Sequence, residues 1–246
     1  MEDLKNQLKL NLEPHIKSLD RKFKQQEIDL KDISLFLPQI GSQYESDTRS
    51  HKLLFVGRSA NEFYDLKQGT VSEGFKTWMN ESCPIDDRIR KMCDESSQGS
   101  YSFEKSSFWQ VVRQISSRMR TKESDDLAGS SSVIAWSNLY KLGTTKGLGT
   151  PNAKLKCVQL DEAKAMFVAE IEVLRPDAIV MLTGLEGWAA PFLDGISKSN
   201  PPVGTRQMGI EAVGLVRGVK TIVIPHPQGK SGRTECIKAV VDKIKN

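Results

Sequence analysis

Four short apolar runs constrain the fold of this chain more than any other feature. His51–Gly57 (HKLLFVG), Val133–Trp136 leading into Ser137–Lys141, Ala178–Leu182 and Lys220–Ile224 have strand length, and each ends in Gly, Pro or polar residues. Between them lie stretches with apolar residues at helical spacing. Val112, Ile115 and Met119 share a face in FWQVVRQISSRM, Ala163, Met166, Phe167, Ile171 and Leu174 do so in Leu160–Leu174, and Ser231–Lys245 is amphipathic. Arg175-Pro176-Asp177 stops the second of these helices directly before a strand. Apolar strands alternating with helices form a mostly parallel sheet covered on both faces. The pattern therefore predicts an α/β fold, a three-layer α/β/α sandwich around a four-stranded, mostly parallel central sheet. Glu186–Ile196 reads as a short helix and Glu211–Val216 as a candidate edge strand.

A chain of 246 residues can bury such a sheet within one domain, so a single domain over residues 1–246 is expected. Leu4, Leu8, Leu12, Ile16 and Leu19 recur at helical spacing and make residues 1–40 read as helical, with Pro14 interrupting. Residues 1–45 are thus expected as an N-terminal helical extension packed on the domain. The formal net charge is +4, which suits a polyanionic partner without requiring one. Cys83, Cys93, Cys157 and Cys236 have neither zinc-site nor iron–sulfur spacing and read as reduced thiols. The charged N-terminus argues against a signal peptide or membrane anchor, so a cytoplasmic protein with no membrane partner is expected. No Gly-x-Ser-x-Gly elbow, phosphate loop, dinucleotide motif or metal-ligand cluster is present, so neither cofactor nor metal is expected.

In parallel sheets ligands bind beyond the carboxyl ends of the strands. The polar motifs fall at such ends: Gly57–Phe63, Asn138–Lys141, Thr183-Gly184 and His226–Arg233. A strand entering a Gly-initiated loop, a strand ending in Asn, a helix–Arg-Pro-Asp–strand unit and a last strand ending in His-Pro follow one another in that order. Over roughly residues 50–245 this order resembles the uracil-DNA glycosylase superfamily. The resemblance implies a monomeric, monofunctional enzyme that flips a nucleotide out of DNA, hydrolyses its N-glycosidic bond and leaves an abasic site.

What the resemblance implies for the residues is specific. The family loop carries Asp or Asn two residues after its Gly, where this chain has Ser59. Asn61 is then the candidate for positioning the water, with Ser59 and Glu62 as competitors; Asn61 also suits a helix N-cap. Gly57, Arg58 and Phe63 belong to the same substrate-binding loop, with Phe63 a candidate for stacking on the base. Asn138 corresponds to the residue that pairs with the Watson–Crick edge of a pyrimidine, or is a strand-end turn residue. His226 corresponds to the donor to a base carbonyl, or is a structural histidine held between Pro225 and Pro227.

Lys141, Gln228, Lys230, Ser231 and Arg233 are the candidate DNA contacts, the last four in a loop that reads equally as an ordinary polar turn. Ser59 and Ala60 stand where the best-known branch carries a bulky aromatic, which implies a pocket roomy enough for a 5-modified pyrimidine. A hypermodified phage cytosine, and hence a defence role, would fit such a pocket. The alternative is a catalytically inactive relative that binds nucleic acid or a protein partner.

Overall fold

The computed structural model describes residues 2–47, 51–59, 64–67, 69–81, 84–88, 105–119, 127–145, 149–198 and 207–246. By internal contacts the chain divides into two compact units. One comprises Met1–Pro38, Gly57–Ser82 and Ser137–Arg175; the other comprises Gln39–Val56, Cys83–Trp136 and Pro176–Asn246.

The first unit is built on helix α1, Glu2–Gln25, whose buried stripe is Leu4, Leu8, Leu12, Ile16, Leu19 and Phe23. Pro14 lies inside this helix and does not interrupt it as the sequence suggested. The missing Pro14 N–H would have bonded the Leu10 carbonyl, and both residues lie on the exposed face of the helix. The helical expectation for residues 26–40 is corrected as well. That stretch turns at Glu27, which has φ 49°, and then forms strands β1, Ile33–Leu35, and β2, Gln39–Ile40.

Strand β1 pairs antiparallel with β4, Tyr64–Asp65, and with β6, Leu142–Thr144, giving a small sheet of order β4-β1-β6. Helix α2, Val71–Asn80, begins at a capping box in which Thr70 and Glu73 exchange side-chain hydrogen bonds. Asp20 of α1 accepts from the Val71 and Ser72 amides, so α1 also caps α2. A long helix, Ala153–Leu174, runs from the Asn152 cap to Arg175, whose left-handed φ of 47° precedes Pro176. Buried Gln159 in that helix accepts from the Leu142 amide at 2.9 Å and donates to the Leu142 carbonyl at 2.8 Å, pairing with β6 as a neighbouring strand would.

The second unit holds a seven-stranded mixed sheet of order β2-β5-β3-β7-β10-β9-β8. Its strands, beyond β2, are β3 (Leu53–Ser59), β5 (Ile134–Tyr140), β7 (Ala178–Leu182), β8 (Gly195–Lys198), β9 (Ala212–Val216) and β10 (Val219–Ile224). β3 and β5 end in residues that belong to the first unit. The four strands read from the sequence are β5, β3, β7 and β10, neighbours in the sheet, and β3, β7 and β10 run parallel.

The four-stranded sheet expected from them is too small. β9 returns antiparallel on β10 through the tight Arg217-Gly218 turn, both residues at positive φ, and β8 continues beyond it. β9 is therefore interior to the sheet. Glu186–Ile196 is not one helix either, because Glu186 is extended, Gly187 has φ 73° and residues from Gly195 join β8.

One face of this sheet carries Leu53, Phe55, Ala178, Val180, Leu182, Ile222 and Ile224. They pack against α3, Ser107–Met119, and the C-terminal helix, Arg233–Lys245, through Trp109, Ile115, Ile237, Val240 and Ile244. Burying each large aliphatic side chain contributes about 1.5–3 kcal/mol, so this cluster dominates the stability of the unit. A short helix α4, Leu127–Ser131, precedes β5, which makes Ala153–Leu174 α5 and Arg233–Lys245 α6.

Candidate functional site

In the second unit the carboxyl ends of the parallel strands are in register: Val56 is opposite Met181, and Leu182 opposite Ile224. Gly184 donates to the Ile224 carbonyl at 2.9 Å and closes the end of β7 against the end of β10. Pro225-His226-Pro227 follows directly, with both prolines buried and His226 half-buried. The two pyrrolidine rings restrict the backbone on either side of the imidazole. The Gln228 amide points at His226 Nδ1 at 3.4 Å, a long contact that fits Nδ1 as acceptor and leaves the hydrogen of a neutral ring on Nε2.

The loop beyond His226 is ordered by backbone contacts. Lys230 donates to the Pro227 carbonyl at 3.3 Å, and the Ser231 carbonyl accepts from Met208 at 2.8 Å. Gly229 and Gly232 adopt φ 67° and 68°, which a side chain would strain. Gln228 and Ser231 are exposed and Lys230 half-buried, so all three can meet a partner. Arg233 behaves differently. Its guanidinium donates to Gln110 Oε1 and, at 3.2 Å, to Ser107 Oγ, so it ties α6 to the start of α3. The half-buried Arg233 is thus also a helix–helix bridge.

In the first unit, Gly57, Arg58 and Ser59 are the last residues of β3. Ser59 Oγ donates to the Gly149 carbonyl at 3.1 Å. Asn61, Glu62 and Phe63, together with Ala60, lie outside the described residues. Asn138 is buried within β5, in the strand and not in a turn after it.

Lys141 requires the clearest correction. It is fully buried, so it cannot neutralise a DNA phosphate. Its Nζ lies 2.7 Å and 2.9 Å from the two Glu170 carboxylate oxygens, 2.8 Å from Ser137 Oγ and 2.6 Å from the Asn138 carbonyl. Ser137 Oγ in turn donates to Glu170 Oε2 at 2.7 Å. Burial pushes the Lys141 ammonium down and the Glu170 carboxyl up, and their mutual attraction partly counters each shift. The three hydrogen bonds of Lys141 Nζ, to Ser137 Oγ, the Asn138 carbonyl and Glu170 Oε2, use the three hydrogens of an ammonium.

Sequence reasoning missed Ser137 and Glu170. The available signal was Glu170, on the same face of α5 as buried Gln159 about three helical turns earlier and set in the mostly apolar run Met166–Leu174.

A second clasp joins α1 to α5. Glu162 accepts from Ser18 Oγ at 2.6 Å, pairs with His15 Nδ1 at 2.8 Å and meets Lys22 Nζ at 3.2 Å. Burial raises the Glu162 carboxyl, but the hydrogen bonds from Ser18, His15 and Lys22 outweigh it and hold the group below the ordinary carboxylate value.

Among the described residues no three His, Cys, Asp or Glu side chains gather as a metal site, and no helix is long and apolar enough to cross a membrane. The chain matches no protein-family model and has no detectable relative among curated proteins.

Proposed function

We propose that this chain is a DNA glycosylase of the uracil-DNA glycosylase superfamily that hydrolyses the N-glycosidic bond of a flipped, 5-modified pyrimidine. The observation that carries the reading is His226, fixed between two buried prolines at the carboxyl end of a parallel strand, with its Nδ1 facing a backbone amide. In glycosidic hydrolysis the bond from C1′ to the base nitrogen breaks, and its electron pair leaves with the base. Charge then grows on the base carbonyls, and an Nε2–H donor stabilises it most where it is greatest. A water oxygen bonds to C1′, and the proton it gives up ends on the departing base anion, yielding an abasic sugar and the neutral free base.

Asn61 is assigned to orient that water and Asn138 to read the base edge. Gln228, Lys230 and Ser231 are assigned to the strand backbone. Ser59, held by Gly149, leaves the position after Gly57 and Arg58 small, which favours a substituent at the pyrimidine 5-position. A hypermodified phage cytosine is the substrate class proposed, acted on by a cytoplasmic monomer without metal or cofactor.

One observation favours a second reading, a catalytically inert nucleic-acid-binding or protein-interaction module. Where the resemblance expects an acid or amide, Ser59 spends its hydroxyl on a carbonyl. The two readings separate when unmodified, uracil-containing and hypermodified cytosine DNA are incubated with the protein and then treated with alkali. The glycosylase reading expects strand breaks with hypermodified DNA, abolished in His226→Ala. Breaks only in uracil DNA would sink the enlarged pocket, and salt-dependent binding with no breaks in any substrate would select the inert module.

A further inference from the structure

We propose that Ser137, Lys141 and Glu170 are positioning residues for Asn138, holding its backbone so that its carboxamide meets the edge of the flipped pyrimidine. All four residues belong to the first unit. Lys141 Nζ donates to the Asn138 carbonyl at 2.6 Å, and its other two hydrogens go to Ser137 Oγ and Glu170 Oε2. The ammonium thus grips the residue assigned to read the base, while Glu170 ties that ammonium to α5.

The strand register shows why this stretch needs a clamp. Gln39 pairs with Trp136, and Leu35 pairs with Leu142. Between these pairs lie Phe36, Leu37 and Pro38 on one side and Ser137 through Lys141 on the other, three residues against five. A ladder cannot run unbroken across two extra residues, and Pro38 has no N–H to contribute. Insertions of this kind re-aim a side chain beside an active site. Asn138 lies in the break, and a lysine three residues along the chain supplies a donor to its carbonyl.

Stability alone does not call for a buried ion pair here, because apolar side chains of similar volume are often as stabilising or more so. An ammonium gives what they cannot, a charged hydrogen bond to one chosen carbonyl, shorter and stronger than a neutral one. Ser137 sends its hydroxyl to Glu170, so alternation along β5 turns the Asn138 carboxamide to the opposite face of the strand. The cluster therefore fixes the main chain of Asn138 without competing for its amide.

The role in base reading rests on the glycosylase reading, so the test includes a measurement that needs no substrate. In protein carrying isotope-labelled asparagine, the side-chain amide signal of Asn138 is assigned by its absence in Asn138→Ala. Lys141→Met/Glu170→Gln, which buries no charge, should melt near wild type yet broaden that signal. Its kcat for release of a hypermodified cytosine should fall about a hundredfold, the cost of a displacement of about 1 Å. Ser137→Ala keeps both charges, carries the test if the double variant does not fold, and should show a smaller loss of the same kind. Thr70→Ala, which removes a helix cap in the same unit, should melt lower and keep the wild-type kcat. In an Asn138→Ala background the double variant should cost nothing further, since it acts through that side chain. A merely structural cluster gives the reverse, with rates that follow the melting temperature and effects that add. A sharp Asn138 signal or a wild-type kcat in the double variant would overturn the positioning role. A broadened signal there, with no base released by wild type from any DNA, would leave it standing and refute only the glycosylase reading.

Discussion

Replacing Lys141 by Met removes the charge from the buried cluster while keeping an unbranched side chain one heavy atom shorter. Glu170 Oε2 would keep its bond from Ser137, but Oε1 meets only Lys141 Nζ. A buried carboxylate without its cation is expected to take up a proton. Holding a carboxyl neutral at about pH 7, from an unfolded value of about 4.3, costs about 3.7 kcal/mol at 1.36 kcal/mol per unit. That agrees with the roughly 3–5 kcal/mol found when one partner of a buried ion pair is removed.

The same arithmetic fixes the pH dependence. In Lys141→Met the folded-state Glu170 carboxyl lies above its unfolded value, so its contribution is fully present below about pH 4 and is lost as pH rises. The destabilisation should thus shrink to about 1 kcal/mol near pH 5, measured by urea unfolding of variant and wild type at both pH values. Lys141→Met combined with Glu170→Gln buries no charge and should recover most of the loss. A cost below about 1 kcal/mol at pH 7, or an equal cost at both pH values, would refute the assignment of a dry ion pair.

Three further outcomes follow from the structure. A Cβ added at Gly41 would stand 2.2 Å from the Ser132 carbonyl oxygen and 2.4 Å from that of Ser131, and backbone cannot yield as a side chain can. Gly41→Ala should therefore cost about 3 kcal/mol in urea unfolding. Glu162, held below its ordinary value, contributes stability that is present above its unfolded pKa and lost as pH falls; Glu162→Gln should flatten the acid limb of a melting-temperature profile below about pH 5. Thr70→Ala removes half of the capping box of α2 and should lower stability by about 1 kcal/mol in chemical denaturation.

The central strands were legible because β7 is apolar throughout and β3, β5 and β10 are mostly apolar, as burial on both faces requires. The shorter strands were not. β1, β2 and β4 have two or three residues each, too few for a periodic signal, and exist only because partners distant in sequence supply their hydrogen bonds. Pro14 misled because its cost depends on which face of α1 it occupies. Thr70-x-x-Glu73 was readable as a capping box and would have revealed α2.

At the candidate site, His226 follows β10 as the sequence places it, whereas Gly57, Arg58 and Ser59 belong to β3 and not to a loop after it. The sequence could not show that Lys141 faces inward, since Glu170, its counter-ion, stands on α5 twenty-nine residues later. Arg233 posed the same problem, because its acceptors lie on α3. A lone cation at the end of an element reads as solvated until the partner that buries it is placed.

The central claim is base excision, and mass spectrometry of the small-molecule fraction tests it most directly. DNA carrying a hypermodified cytosine is incubated with wild type and with His226→Ala, and the filtrate is examined for the free base. The account expects the modified base to accumulate with wild type, at a stoichiometry matching the abasic sites formed, and to be absent with His226→Ala. No free base from any DNA with wild type, or equal release by both proteins, would contradict it.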